Sequence, residues 1–185
     1  KAGDNIVAST DLYGGTVNLF KNQLRLQGVE VRFADPADPK NFEKLTDEKT
    51  RAYYGESCPN PYLRVFPIKE VADIGRKKGI PLFIDNTASP VICKPLAHGA
   101  AVVMHSLTKY IGGHGTSIGG IIVDGGNFDW TKDRKRQPLM NEPDQSYGGA
   151  IWADAVPQLT GANIPFVIRL SVVLLRDTGA PLDPF

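Results

Sequence analysis

Cysteine is scarce in this chain, and neither sign of charge is in excess. Cys58 and Cys93 are the two cysteines among 185 residues, which excludes a disulfide-based scaffold and is typical of a reducing cytoplasm. The 21 basic and 20 acidic residues leave a formal net charge of +1, so no global field favours nucleic acid or an anionic membrane. We therefore predict a cytoplasmic protein with no nucleic-acid or membrane partner.

Long hydrophobic runs are also absent. The apolar stretch at residues 164–175 is interrupted by Pro165, Arg169 and Ser171. It is too short and too polar to span a bilayer, and we predict a buried helix there instead. The three histidines, His98, His105 and His114, have no recognised metal-ligand spacing with either cysteine, so no metal site is predicted.

What the sequence does contain is an alternation of short strand-like and helical segments. Strands are predicted at residues 6–8, 29–33, 51–56, 80–85, 100–104 and 121–123, and helices after Gly15, Pro39 and Pro67. The continuous apolar run at residues 80–84 is typical of a strand covered on both faces, which favours a parallel sheet. The alternation therefore predicts an α/β fold, with a mostly parallel sheet flanked by helices.

Polar residues follow the predicted strands, and in such sheets ligands bind beyond the carboxyl ends of the strands. The residues in these positions are Asp11, Tyr13, Glu56, Ser57, Asn60, Asp85, Asn86, Thr87, Ser106, Thr108 and Lys109. Hydroxyls before Lys109 and three glycines soon after it offer what an anionic phosphate and a reactive carbonyl need together. Taken singly, each has an ordinary explanation, because such a lysine is usually a surface residue and such an aspartate is often a turn residue.

Taken together, these stretches resemble the pyridoxal 5'-phosphate (PLP) attachment region of the Cys/Met-metabolism enzymes. The stretches are Ser9-Thr10-Asp11-Leu12-Tyr13-Gly14-Gly15-Thr16, Asp85-Asn86-Thr87, Ser106-Leu107-Thr108-Lys109-Tyr110-Ile111-Gly112-Gly113-His114 and Gly115-Thr116-Ser117-Ile118-Gly119-Gly120. The Gly113-His114-Gly115-Thr116 variant is similar to the O-acetylhomoserine sulfhydrylase branch, and Leu174-Leu175-Arg176-Asp177-Thr178-Gly179-Ala180 fits that branch as well. The resemblance implies an aspartate-aminotransferase-like (fold type I) large domain over residues 1–160. Residues 161–185 would start a linker helix toward a C-terminal domain.

The resemblance also implies three catalytic residues. Lys109 would bind the aldehyde of PLP covalently and then shuttle protons between substrate carbons. Asp85 would pair with the pyridine nitrogen, which keeps the ring an effective electron sink. Tyr13 would stack on the ring and assist proton transfer.

Further cofactor contacts follow from the same resemblance. Ser106 and Thr108 would bind the phosphate, and Asn60 would approach the phenolic oxygen of the ring. Thr87 and Glu56 are weaker candidates for the surrounding shell. Two nearby residues are not assigned to the cofactor. We predict that Cys58 is a packed thiol and not a nucleophile, and His114 has either a structural or a catalytic role.

The implied reaction is γ-replacement on O-acetyl-L-homoserine, in which sulfide or a small thiol displaces acetate to give homocysteine or methionine. A homo-oligomer, dimer or tetramer, is expected. Two alternatives stay open. One is another Cys/Met enzyme, cystathionine γ-synthase or a γ-lyase, although the Gly115-Thr116 pair disfavours it. The other is a truncated PLP-binding chain without turnover.

Parts of the family pattern are not found in the chain. Related enzymes are longer, and we expect their glycine-containing phosphate loop and their substrate-carboxylate arginine to lie outside these residues. Within the chain, Ser146-Tyr147-Gly148-Gly149 lacks the histidine expected after the tyrosine. The basic run Arg134-Lys135-Arg136 is predicted to be a solvated loop.

Overall fold

A six-stranded sheet forms the centre of the chain. The computed structural model describes residues 1–179; residues 180–185, the end of the predicted linker segment, lie outside the described part. The strands are β1 Asn5–Ser9, β2 Glu30–Ala34, β3 Thr50–Glu56, β4 Leu82–Asp85, β5 Val102–Ser106 and β6 Gly120–Asp124. Their order is β2-β1-β3-β4-β5-β6; β1 to β5 are parallel and β6 is antiparallel to β5. The predicted mostly parallel α/β sheet is confirmed.

Helices connect the strands and cover both faces of the sheet. They are α1 Gly14–Asn18, continued by a π-helical turn Leu19–Gln23 into α2 Leu24–Leu26, then α3 Lys40–Lys44, α4 Ile68–Lys77, α5 Pro138–Asn141, α6 Trp152–Thr160, α7 Pro165–Arg169, a π-helical part Leu170–Leu175 and α8 Arg176–Thr178. Short helical turns lie at Pro95–His98, Leu107–Ile111 and Gln145–Tyr147. The parallel strand pairs have helical crossovers between them, as parallel pairing requires.

The core is divided between the two faces of the sheet. On one face, Phe42 from α3 and Val71 from α4 pack against Tyr53 and Ile84 of the sheet. On the other face, aromatic residues around α6 and α7 pack against Val102. Alternate residues of the central strands are therefore buried on opposite sides, which explains their continuous apolar sequence.

Gly75 allows α4 to approach the sheet closely. A Cβ atom at this position would lie 2.5 Å from the backbone oxygen of Ile80 and 3.2 Å from the ring of Tyr53. Alanine normally stabilises a helix interior relative to glycine, but here it must displace backbone. We expect Gly75→Ala to lower the free energy of unfolding by about 1–3 kcal/mol, measured by urea denaturation. Gly14→Ala, whose Cβ meets nothing within 4 Å, is the control; an equal loss in both variants would contradict the packing argument.

The C-terminal helix differs from its prediction. Phe166 and Val172 pack on the core, but Leu174 and Leu175 are 45% and 43% exposed. The prediction of a buried helix at residues 164–175 is therefore wrong, because the helix lies on the outside of the sheet and packs with one side only. Whether it leads to a further domain stays a prediction.

Among the described residues, no single helix is long and apolar enough to cross a bilayer. The helices Trp152–Thr160 and Pro165–Leu175 reach that length and composition only as a pair, which is bent by 103°.

The basic run is not simply a solvated loop. Arg136 Nη1 donates hydrogen bonds to the backbone oxygens of Asp47 at 2.6 Å and Thr50 at 3.1 Å, and Arg134 forms an ion pair with Asp154 at 2.7 Å. Carbonyl groups at the start of β3 need donors when they are removed from water, and Arg136 provides one. The predicted solvated loop is therefore wrong for Arg136, whose side chain is 14% exposed.

Candidate active site

A cleft of about 820 Å³ opens at the carboxyl ends of the parallel strands. Its walls contain every residue predicted to be catalytic or to contact PLP, whereas the other strand-end candidates Asp11, Ser57 and Asn86 are not among the lining residues. The lining residues are Tyr13, Glu56, Cys58, Asn60, Leu63, Asp85, Thr87, Ala88, Ser106, Thr108, Lys109, Tyr110, Gly113 and Gly115. Strand ends far apart in the sequence thus place one amine, two carboxyls and several hydroxyls around a single cavity. His114 is not among the residues of this wall.

Lys109 lies in the helical turn Leu107–Ile111 that follows β5. Its backbone departs from helical geometry, with φ −94° and ψ −122°, and its backbone oxygen accepts a hydrogen bond from Gly113 N at 2.8 Å. The side chain is exposed, and within residues 1–179 its amine has no hydrogen bond or ion pair. The amine is therefore available to a ligand in the cleft.

Asp85 ends β4 and is oriented by its own turn. Its Oδ1 accepts a hydrogen bond from Thr87 N at 2.8 Å, and Thr87 Oγ1 accepts one from Ser106 N at 2.8 Å. These two bonds link the ends of β4 and β5. The other carboxylate oxygen, Asp85 Oδ2, accepts no hydrogen bond within the described part of the chain, so it can receive one from a ligand.

The two hydroxyls near Lys109 are in different situations. Thr108 Oγ1 accepts a hydrogen bond from Gly119 N at 3.0 Å, which closes the glycine-rich loop after Lys109. The Ser106 hydroxyl has no partner among residues 1–179. Ser106 can therefore donate to a ligand without giving up a bond, whereas Thr108 also supports the loop.

Glu56 is the buried carboxyl of the cleft. It ends β3 with 7% of its surface exposed and is paired in the sheet register with Asp85. Burial raises the pKa of Glu56 to about 7; the hydrogen bond from the Tyr13 amide opposes this rise, and the charge of Asp85 adds to it. Tyr13, which is 53% exposed, lies at the same wall.

The loop after β3 carries Asn60 and Cys58. Asn60 is exposed and Cys58 is half-buried. The loop is fixed by Arg64, whose Nε lies 2.7 Å from Asp11 Oδ2 and whose Nη2 lies 2.9 Å from Asp35 Oδ1. Nothing in the sequence pattern around Arg64 indicated these ion pairs, since their partners are 53 and 29 residues away.

The donor set fits a ligand that has an aldehyde, a ring nitrogen and a phosphate. Lys109 offers an amine without a partner, Asp85 an unused carboxylate oxygen, and Ser106 an unused hydroxyl. Phosphates bind readily to hydroxyls and glycine amides in such loops. Within residues 1–179, no group of three or more His, Cys, Asp or Glu side chains could hold a metal ion.

Comparisons with known proteins agree with this geometry. Residues 1–185 match the family described as Cys/Met metabolism PLP-dependent enzyme. The chain is 46% identical to the O-acetyl-L-homoserine sulfhydrylase of Leptospira meyeri, over 100% of the chain and 42% of that protein. It is also 46% identical to O-acetyl-L-homoserine sulfhydrylase 1 of Thermus thermophilus, over 100% of the chain and 43% of that protein.

A solved structure shares the fold. An O-acetylhomoserine (thiol)-lyase from Campylobacter jejuni, whose structure contains N'-pyridoxyl-lysine-5'-monophosphate, superimposes with a TM-score of 0.87 at 36% identity, covering 99% of this chain and 44% of that one. The chain thus spans less than half the length of these relatives, and the fold type I prediction is confirmed. By its sequence, its fold and the residues of its cleft, the chain belongs to the PLP-dependent enzymes of Cys/Met metabolism.

Proposed function

We propose that the protein containing this chain is an O-acetylhomoserine sulfhydrylase, in which sulfide or a small thiol displaces acetate to give homocysteine or methionine. The observation that carries the proposal is the cleft, which gathers Lys109, Asp85 and Tyr13 around one cavity. The names of the relatives from Leptospira meyeri and Thermus thermophilus support the substrate class. When bound, PLP supplies a ring that withdraws electrons from the substrate carbon.

The amine of Lys109 has two tasks in this proposal. It would hold the cofactor through its aldehyde, and it would remove and return protons at Cα and Cβ of the substrate. Both tasks need an amine in the cleft that is not held in an ion pair. Within the described residues Lys109 meets this condition.

The remaining residues bind and orient. Asp85 Oδ2 would accept a hydrogen bond from the ring nitrogen, while Oδ1 stays fixed by Thr87 N. Ser106 and Thr108 would hold the phosphate, Tyr13 would lie on the ring, and Asn60 would approach the phenolic oxygen. Thr87 supports this set through its bond to Ser106 N.

A γ-lyase is the second candidate. The cystathionine γ-lyase of Lactobacillus plantarum, solved with L-serine, superimposes with a TM-score of 0.65 at 34% identity over 75% of this chain and 36% of that one. Its lower coverage and TM-score favour the sulfhydrylase.

For the whole protein we also propose a homo-oligomer in the cytoplasm, and a substrate-carboxylate site outside these 185 residues.

Reductive trapping tests the cofactor site. The 185-residue chain is incubated with PLP, reduced with borohydride and digested, and the peptides are identified by mass spectrometry. We expect one pyridoxyl phosphate group, on the peptide that contains Lys109. Equal labelling of Lys109 and exposed lysines outside the cleft, such as Lys94, would contradict a specific site.

Product analysis tests the reaction. The chain, and separately the full-length protein, is supplied with O-acetylhomoserine and sulfide, and with cystathionine in a parallel sample. Homocysteine formed together with acetate supports the sulfhydrylase. If the first sample contains no homocysteine and cystathionine is cleaved in the second, the sulfhydrylase proposal is wrong and the γ-lyase takes its place.

A further inference from the structure

Glu56 is a buried carboxyl to which the proposed reaction gives no task. A carboxyl removed from water usually has a cation or several donors as partners. Glu56 has no ion pair within residues 1–179, and its hydrogen bond there is from Tyr13 N to Oε1, at 2.7 Å. This buried group of the cleft is therefore directed at the backbone of Tyr13, 43 residues away in the sequence.

The backbone of Tyr13 is held on both sides. Its N–H donates to Glu56, and its C=O accepts the first hydrogen bond of α1, from Val17 N at 3.0 Å. The ring lies directly beside Gly15, because a Cβ atom at that residue would be 2.6 Å from Tyr13 Cε1. The ring thus occupies space that is open only because residue 15 is glycine.

We infer that Glu56 is a positioning residue: its carboxyl holds the Tyr13 amide and thereby fixes the Tyr13 ring over the cleft, where a planar aromatic ligand binds. The identity of that ligand, PLP, rests on the proposed function. The hydrogen bond needs an acceptor oxygen at the end of a side chain as long as that of glutamate. Glu56→Gln keeps the oxygen and the length, Glu56→Asp shortens the side chain, and Glu56→Ala removes the acceptor oxygen.

Amide hydrogen exchange tests the positioning without any cofactor. We expect the Tyr13 amide to exchange about tenfold faster in Glu56→Ala and Glu56→Asp than in the unchanged chain, and Glu56→Gln to restore slow exchange. Glu56→Asp also serves if Glu56→Ala does not fold. Glu48→Ala, an exposed glutamate just before the opposite end of β3, is the control. Equal Tyr13 exchange in every variant would overturn the inference.

A double-mutant cycle tests whether Glu56 acts through the ring. We expect Glu56→Ala to weaken PLP binding about tenfold in the unchanged chain and to have little further effect in Tyr13→Ala, which keeps the backbone N–H. Equal effects in both backgrounds would mean that Glu56 does not act through Tyr13, and would overturn the inference. If the unchanged chain binds no PLP, the proposed function fails, and the exchange experiment still decides whether Glu56 holds Tyr13.

Discussion

Lys109→Ala is expected to abolish covalent attachment of PLP to this chain. Lys109 is the one lysine among the described residues that line the cleft. No other side chain in this wall can form a carbon–nitrogen double bond with the aldehyde. After borohydride reduction, the mass of the variant should therefore be unchanged, whereas the unchanged chain gains one pyridoxyl phosphate group. Non-covalent binding should persist more weakly, since Asp85, Ser106 and Thr108 are still in place.

Two further variants make this result specific. Lys94→Ala removes an exposed lysine outside the cleft wall and should be labelled like the unchanged chain. Lys109→Arg keeps a positive charge near the phosphate but cannot form the bond, so it should bind PLP and remain unlabelled. Stoichiometric labelling of Lys109→Ala at another lysine would show that the bond to PLP can form without Lys109.

Local patterns allowed most of the fold to be predicted from the sequence. The apolar run at residues 80–84 indicated a strand covered on both faces, and β4 is indeed central in the sheet. The candidate site residues were selected by their position after strands, and the carboxyl ends of the parallel strands do meet at one edge; their roles came from the family resemblance and stay predictions. Because both arguments depend on short stretches, a single sequence was sufficient for them.

Contacts between distant residues could not be predicted in this way. Arg136 looked like part of a solvated charge run, yet it binds carbonyl groups 86 and 89 residues away. Glu56 looked like a weak candidate, because nothing nearby in the sequence shows that its carboxyl meets Tyr13 N. Such pairings depend on the order of strands and on loop paths, which a periodic pattern does not determine.

The pH dependence of stability should reveal the buried state of Glu56. Its pKa is 4.5 in the absence of burial and about 7 in the folded chain. Between these values the folded state keeps a proton that the unfolded state has released, so stability falls as pH rises. The contribution is complete below pH 4.5 and lost above about pH 7, and it amounts to about 3–4 kcal/mol at 1.4 kcal/mol per pKa unit.

Glu56→Gln should remove this dependence, because its amide has no charge to bury. We expect the variant and the unchanged chain to have equal unfolding free energies below pH 4.5, and the variant to be more stable by up to about 3–4 kcal/mol above pH 7. Carboxyls whose pKa is lowered, such as Asp47 and Asp144, titrate in both proteins and cancel in the difference. Urea denaturation in the absence of PLP measures it, with Glu48→Gln as the control for an exposed glutamate.

A constant difference across this pH range would mean that the carboxylate of Glu56 is as well stabilised in the folded chain as in water. That outcome would show that folding does not raise the pKa of Glu56. Hydrogen exchange would still test the hydrogen bond from Tyr13 N to Glu56. A difference that grows as pH rises would show that the chain keeps a carboxyl at a cost in stability above pH 7. Because Glu56→Gln also holds the Tyr13 amide, such a cost would not come from positioning Tyr13 alone, and it would point to a need for an ionisable carboxyl at this place in the cleft.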